Sequence, residues 1–419
     1  MEEQLWIACS DGNVEEVIKL LQTEQINVDW QDFGLERTTP FYIACYSGHT
    51  GIVKLLLNDN RIDVNKPDTY DQTPFYIACL KGRLEIVKLL LNDEKINVNK
   101  AVDGVTPFYI ACNNGYIEIV KLLLNDQRVD INKSTNNDWT PFFIACSLGQ
   151  IEIMKLLLND ERIDVNKARN SGKTPFSIAC QNGYIEIVEL LLNDERIGVN
   201  KADVYGDTPF LMACQNGRIE IVKLLLNDER VDINNSNRYG WTPFWIACYK
   251  EHIEVVKLLL SDPRVDINKA RNSGETPFYM ACQQGQIEIV EHLLASGRQI
   301  DMNKKDNNGK TGLDWAREKE KMEMDEDDED WETEDEFQER KSEYEKIVKL
   351  IESFERNPIE TIVQLRVQLG LAGKSLFIFF YLFFNFSKMI FIFQDGDAIS
   401  IYSMIVLLSD CYLDFKTRN

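Results

Sequence analysis

Histidine and basic residues are scarce in this sequence. Its 419 residues include three histidines and 46 lysines and arginines, against 68 aspartates and glutamates, so the formal net charge is −22. Nucleic-acid binding needs clustered cations to neutralise phosphates, and this charge balance argues against it. The sequence contains no glycine-rich phosphate loop, nucleophile elbow or Cys-x-x-Cys pair. We therefore expect no enzymatic activity, no cofactor and no metal site. The start, Met1-Glu2-Glu3, also lacks the basic and apolar stretches of a secretory signal.

A repeat of about 34 residues dominates the chain. The tripeptide Thr-Pro-Phe occurs eight times, and successive copies are 34 residues apart except for one step of 33. The copies begin at Thr39, Thr73, Thr106, Thr140, Thr174, Thr208, Thr242 and Thr276. A weaker copy begins at Thr311, and residues 5–21 repeat the second part of the unit without its Thr-Pro start. The sequence therefore predicts about ten units.

Each unit predicts two short helices. In the unit that begins at Thr73, the threonine is suited to cap a helix and Pro74 to occupy its first turn. Apolar residues continue to Cys79, Gly82 is expected to end this helix in the left-handed conformation, and residues 84–91 form a second apolar stretch. Both helices are shorter than the roughly 12 residues needed for marginal stability alone in water. The units must therefore stack to bury their apolar faces.

This unit resembles the ankyrin repeat, in which a helix that begins Thr-Pro is followed by a glycine and by a second helix rich in Ile-Val-x-Leu-Leu. The resemblance covers residues 1–354. It implies an all-α, ankyrin-type solenoid of stacked helix-turn-helix repeats with β-turn or hairpin fingers. Two positions depart from the family pattern. Phe and a variable residue replace the usual Leu-His after Thr-Pro, and Cys replaces the second Ala of the first helix; both changes keep size or apolar character.

Nine of the ten cysteines occupy one position of the repeat. Stacked helices lie about 8–10 Å apart, whereas a disulfide needs Cα atoms within about 7 Å of each other. We therefore predict that these cysteines are reduced core residues. Reduced thiols favour a cytoplasmic protein, with the nucleus as an alternative.

The resemblance implies that partners bind to the turn tips and to the concave face of the first helices. Aromatic residues are the usual energetic anchors of such interfaces. The candidate partner-binding residues are Tyr46, Tyr70, Trp139, Tyr205, Tyr239, Trp241 and Tyr249. The densest group lies around Trp241 and Tyr249, which we expect to point to one side. We expect Trp245 to pack between repeats, and His49 and His252 to face solvent in turns.

The repeat pattern is interrupted after residue 316. The last unit has 23 more residues between its two helices than a regular unit has, and residues 318–345 contain 16 acidic and four basic residues. Residues 1–316 thus carry the repeats, 317–345 are predicted to form a disordered acidic insertion, and 346–372 are predicted to supply closing helices. The alternative for the insertion is a docking site for a basic segment of a partner protein.

The apolar tail, residues 373–419, leaves three alternatives open. Residues 376–393 have the length of a membrane-spanning helix, although a central Lys388 would cost about 2.5–3.5 kcal/mol to insert. Residues 374–394 also have the composition of a translated, retained intron. A buried helix is the third alternative.

The sequence as a whole predicts a protein–protein interaction scaffold or adaptor without catalysis. Its partner is an unidentified protein on the concave face. The alternative function is a membrane-tethered ankyrin protein anchored through residues 376–393.

Overall fold

Short α-helices form the regular structure of the described chain. The computed structural model describes residues 1–32, 34, 36–322 and 334–371. In these ranges there are 21 helices, and the only extended pairing is an isolated bridge between Val102 and Val105. The all-α class predicted from the sequence is confirmed, while the predicted fingers are turns and, in the part described, not regular hairpins.

The helices, in chain order, are α1 (Glu2–Asp11), α2 (Val14–Leu21), α3 (Pro40–Ser47), α4 (Thr50–Leu57), α5 (Pro74–Leu80), α6 (Leu84–Leu91), α7 (Pro107–Asn113), α8 (Ile117–Asn125), α9 (Pro141–Ser147), α10 (Ile151–Leu158), α11 (Pro175–Asn182), α12 (Ile185–Leu192), α13 (Pro209–Gln215), α14 (Ile219–Leu226), α15 (Pro243–Tyr249), α16 (Ile253–Ser261), α17 (Pro277–Gln283), α18 (Ile287–Ala295), α19 (Gly312–Glu320), α20 (Glu334–Arg356) and α21 (Pro358–Gln368).

The Thr-Pro-Phe motif starts the first helix of each regular unit. Thr73 is the N-cap of α5, its hydroxyl accepts the backbone N–H of Tyr76 at 3.2 Å, and Pro74 occupies the first turn. The other seven Thr-Pro-Phe threonines make the same bond at 3.0–3.2 Å. The phenylalanine of every motif is at most 1% exposed. The motif thus supplies a cap, a helix start and a core residue in three positions, as predicted.

A left-handed glycine follows the first helix and allows the next repeat to approach. Gly82 has φ +67°, and a Cβ built on it would lie 2.9 Å from the ring of Tyr116 in the following repeat. Neither the backbone conformation nor the space admits another residue there at low cost. The equivalent position of the preceding repeat, Gly48, faces Arg83 in the same way.

Stacking of the units creates one continuous apolar core in the first compact unit, Met1–Val290 with Gln299–Val348. First helices contact first helices along the series from α1 to α19, and second helices contact second helices from α2 to α16. The nine cysteines in the described residues are all buried and free: Cys9, Cys45, Cys79, Cys112, Cys146, Cys180, Cys214, Cys248 and Cys282. They are core residues, as the sequence predicts.

Helix α20 supplies the second helix of the tenth unit. Tyr344 lies beside Gly285 and donates its hydroxyl to the Gln283 carbonyl at 2.9 Å, and Ile347 is fully buried. Those are the places that His49 and Ile52 occupy in a regular unit. The helix begins at Glu334, so residues 334–345, assigned from their charge to a disordered insertion, are helical. Acidic residues in a first turn stabilise a helix N-terminus, which explains this early start.

A ladder of asparagine side chains links consecutive repeats. Asn99 donates from Nδ2 to the Arg128 carbonyl at 2.6 Å and accepts the Asp130 N–H on Oδ1 at 2.8 Å. The same pair of bonds is made by Asn65, Asn132, Asn166, Asn200, Asn234 and Asn268. Each asparagine therefore fixes the backbone of the next turn.

Arginines cap the second helices of the preceding repeats. Arg128 pairs with Asp126 and donates from Nη2 to the Leu91 carbonyl at the end of α6, at 2.8 Å. The equivalent bonds are made by Arg61, Arg162, Arg196, Arg230 and Arg264. A hydrogen bond from the paired arginine lowers the pKa of Asp126 despite its partial burial. Lys95 holds the same position in its repeat, and its side chain makes no hydrogen bond to the described residues.

The second compact unit comprises Glu291–Arg298 and Lys349–Asn419, of which residues 372–419 lie outside the described ranges. Within it, Arg366 of α21 donates from Nε to the Ala295 carbonyl at 2.7 Å and from Nη2 to the Ser296 carbonyl at 3.0 Å. The end of α18 and α21 are therefore joined by an arginine cap of the kind found between the repeats.

Candidate protein-interaction surface

In several repeats the turn before the first helix is held by the side chain of its first residue. In the turn before α15, Asn237 Oδ1 accepts the backbone N–H groups of Tyr239 and Trp241, each at 3.0 Å. Asp68 and Asp203 do the same in their turns. This local bonding fixes the backbone of the turn tip, so that the aromatic side chains on it project from a rigid base.

Four aromatic rings form a row on one repeat. Tyr239 lies 5.1 Å from Trp241 between ring centres, Trp241 stacks on Trp245 at 5.6 Å, and Trp245 stacks on Tyr249 at 5.4 Å. Trp245 is fully buried, Trp241 is half-buried, and the end members Tyr239 and Tyr249 are 50% and 39% exposed. We call these four residues the aromatic row. It unites three of the candidate partner-binding residues through Trp245, whose predicted packing is confirmed.

The other four candidates lie in separate repeats. Tyr70 and Tyr205 are exposed at single turn tips, and Tyr46 is exposed with the Lys81 ammonium 4.5 Å from its ring centre. Trp139 is half-buried and packs edge-on against Phe143 at 5.1 Å. The candidates are thus distributed over several units, with the aromatic row as the only cluster of more than two rings among the described residues.

In four places the first residue of the turn also contacts the first helix of the preceding repeat. Two of these residues are aspartates that accept a tyrosine hydroxyl: Tyr42 donates to Asp68 at 2.9 Å and Tyr279 to Asp306 at 2.7 Å. Burial and the neighbouring carboxylate raise the pKa of both tyrosines, so the phenols stay protonated donors. Where the residue is arginine it stacks on aromatic rings instead: Arg169 over Trp139 and Phe143, and Arg271 over Trp245.

These arginine contacts were not predicted. The signal that would have found them is a duplicated segment, because residues 166–172 and 268–274 both read NKARNSG.

The two turn histidines differ from the sequence prediction. His49 and His252 are half-buried, and each Nε2 lies 2.9 Å from a carbonyl of the preceding repeat, that of Ser10 or Gln215. They are inter-repeat contacts and not solvent-facing turn residues, because the left-handed glycine of the preceding repeat makes room for their rings.

Comparison with protein families agrees with this architecture. The family described as ankyrin repeats in three copies matches six overlapping ranges of the chain, 5–101, 64–135, 83–169, 108–203, 177–271 and 263–324. The chain belongs to the ankyrin repeat family. Ankyrin repeats are in general protein–protein interaction modules and are typically not catalytic. A comparison with curated proteins finds no match.

No helix in the ranges 1–322 and 334–371 is long and apolar enough to cross a bilayer. No group of His, Cys, Asp and Glu in the same part of the chain is arranged to hold a metal ion. Residues 374–394, and with them the predicted membrane segment 376–393, lie outside the described ranges.

Proposed function

We propose that this ankyrin repeat protein is an interaction scaffold or adaptor, and that its partner binds across the turn tips and first helices with the aromatic row as the central anchor. The observation that carries the proposal is the row itself. Large aromatic side chains that are already stacked lose little conformational entropy on binding and bury much area. The exposed rings of Tyr239 and Tyr249 are therefore suited to be energetic hot spots.

The residues of the aromatic row differ in exposure, so their contributions to binding and to stability can be measured separately. Trp245 is fully buried and donates its indole N–H to the Glu275 carbonyl at 3.1 Å, so it belongs to the repeat interface. Trp241 stacks directly on it, and its truncation should affect stability as well as affinity. Tyr239 and Tyr249 contact the row only at its ends. Substitution of these two tyrosines should therefore change the affinity with the smallest accompanying change in stability.

The test is a pull-down from native cytosol followed by affinity measurements on variants. The Tyr239→Ala/Tyr249→Ala double variant is expected to weaken the captured partner by more than about 2 kcal/mol and to leave the melting temperature close to that of the parent. Trp241→Ala should lower both quantities. Ile185→Ala, an exposed apolar position on the second helix α12, is the matched control and should change neither. Unchanged affinity in the double variant would refute the anchor.

Three finer parts of the proposal concern the acidic stretch, the cellular location and the membrane. The acidic stretch 318–345 is proposed to dock a basic segment of a partner, and its contribution should weaken steeply with salt. A cytoplasmic or nuclear location is also proposed, and the nine buried free thiols support it because thiols stay reduced in those compartments. Attachment to a membrane through residues 376–393 remains the alternative, and carbonate extraction of cell membranes would distinguish it from the unattached protein.

A further inference from the structure

The chain contains two copies of one aromatic–arginine arrangement, three repeats apart. Both follow from the duplicated NKARNSG segment, and their arginines, Arg169 and Arg271, are 102 residues apart. In each copy the guanidinium lies over an aromatic ring of the preceding repeat. The Arg169 Cζ is 4.2 Å from the Trp139 ring centre, and the Arg271 Cζ is 5.3 Å from that of Trp245.

In the second copy a carboxylate of the same repeat binds the arginine. Arg271 donates from Nε to Glu275 Oε2 at 2.9 Å and from Nη2 to Oε1 at 2.5 Å. Burial alone would raise the pKa of Glu275, but the hydrogen bonds from Arg271, with a smaller effect of the nearby Ser273 side chain, outweigh it, and the pKa is lowered. Arg271 thus holds an ionised carboxylate that is only 6% exposed.

In the first copy the glutamate is replaced by Lys173. Its ammonium is directed to Gln181, with Nζ 2.7 Å from Oε1. Arg169 Nε corresponds to the Arg271 nitrogen that binds the carboxylate in the second copy, and Ser171 lies two residues further along the chain. Arg169 Nε and Ser171 Oγ are both buried and have no hydrogen-bond partner in the described chain. Buried polar groups are nearly always hydrogen-bonded. Two buried groups without a partner, at positions equivalent to Arg271 and Ser273 in the second copy, therefore point to a ligand from outside the repeat.

We propose that Arg169, with Ser171 beside it, binds a carboxylate side chain, an aspartate or glutamate, of a partner protein, in the way that Arg271 binds Glu275. The proposal rests on the proposed function, because the carboxylate belongs to a bound protein. Stacking on Trp139 orients the guanidinium, and a fixed guanidinium binds carboxylate in two-point geometry. Lys173 adds a second positive charge beside the site. In a protein of net charge −22, such a local cationic site selects for an acidic residue at one place in the partner.

The test follows the Nε–H signal of Arg169 by NMR in the full chain, with Arg169→Lys used to assign it. The probe is the α-amide of N-acetylglutamate, and the neutral control is the α-amide of N-acetylglutamine, both at constant ionic strength. We expect a saturable shift of the Arg169 signal with glutamate, at least about tenfold tighter than any response to glutamine. The Arg271 signal should not respond, because Glu275 already binds it. Equal responses to the two probes would overturn the proposal.

Lys173→Glu provides an independent test, because it reproduces the sequence of the second copy within a repeat that already has the same backbone. It should move the Arg169 signal without any probe and abolish the titration; a titration that survives with unchanged affinity overturns the proposal. An Arg169 signal in the parent that already matches Arg271 before probe is added would show that a carboxylate of this chain fills the site, which also overturns it.

The two proposals fail separately. The titration does not involve Tyr239 or Tyr249, so a positive titration with unaltered partner affinity in the Tyr239→Ala/Tyr249→Ala variant would refute the aromatic anchor alone. Loss of affinity in that variant without a titration would refute the carboxylate site alone.

Discussion

Two opposite substitutions at the helix-capping position of adjacent repeats should have opposite effects on local stability. Lys95→Arg should stabilise its repeat, and Arg128→Lys should destabilise its own. Arg128 bonds to the carbonyls of Leu91 and Asp93 in the preceding repeat, at 2.8 and 3.1 Å, and to Asp126. Lys95 sits on the same backbone, since its N–H donates to Asp93 Oδ1 at 2.8 Å as the Arg128 N–H does to Asp126. Lys95→Arg therefore brings a guanidinium to the Leu57 carbonyl at the end of α4, with no change of charge.

The magnitude follows from the bonds gained. One or two hydrogen bonds to carbonyls are worth about 0.5–1.5 kcal/mol each. The ion pair adds about 0–1 kcal/mol at most, because both partners are partly exposed. We expect Lys95→Arg to stabilise its repeat by about 1 kcal/mol. The reverse change, Arg128→Lys, should cost about 1–2 kcal/mol, because it leaves the end of α6 without its cap.

Hydrogen exchange of individual helices is the suitable assay, because a stack of repeats opens locally. A gain of about 1 kcal/mol slows exchange about fivefold in α4 and α6. Lys88→Arg, an exposed lysine on α6, is the control for a general effect of arginine and should change nothing. If Lys95→Arg leaves α4 and α6 unchanged, or if both exchanges shift stability in the same direction, the capping argument is wrong.

Three further predictions concern the hydrophobic core, the buried thiols and the stability at acidic pH. Leu123→Ala, at a fully buried position in α8, should cost about 2–5 kcal/mol and weaken only neighbouring repeats; equal loss of protection in all units would contradict this. Burial raises the pKa of the core thiols, to about 12 for Cys9, so they should react with a thiol reagent only after denaturation; a stoichiometric disulfide in fresh protein would refute the assignment. Hydrogen bonds from the capping arginines hold the pKa of Asp59, Asp126, Asp160, Asp194 and Asp228 below the model-peptide value. Their stabilising effect is complete above about pH 4 and is lost as the pH falls through the lowered values; a urea midpoint that stays constant from about pH 5 to 2 would show that these pairs do not matter.

The fold was predictable because its determinants are local. The threonine cap, the proline in the first turn and the left-handed glycine act within a few residues, and each recurs with the period. The start of α20 was not predictable from charge density. A dense acidic run favours solvation when it is considered alone, but Glu334, Asp335 and Glu336 stand at a helix N-terminus, where their charge is favourable.

The candidate surface was only partly predictable. The exposed tips Tyr70, Tyr205 and Tyr239 follow from their place in the repeat. The stacking of Trp241 on Trp245, and of Arg169 on Trp139, depends on the register between side chains of different elements, which periodicity does not give. The importance of Arg169 emerges only when its unpartnered Nε is compared with that of Arg271 three repeats later.

The asparagine ladder has a consequence for the length of this chain. Every rung uses the same atoms of one repeat and the same backbone groups of the next, for example Asn132 with Arg162 and Asp164, and Asn234 with Arg264 and Asp266. Removal or duplication of whole units therefore brings together repeats whose asparagine and backbone groups can form the same hydrogen bonds. The ladder itself sets no limit on the number of repeats. The contact between the first turn residue and the preceding helix is different. A deletion that places an aspartate such as Asp306 opposite Trp245 sets a carboxylate against an indole. One that places Arg169 opposite Tyr42 sets a guanidinium against a phenol that has lost its hydrogen-bond acceptor. Tolerated changes of length should consequently be those that keep tyrosine with aspartate and indole with arginine, such as excision of the three units between the duplicated NKARNSG segments.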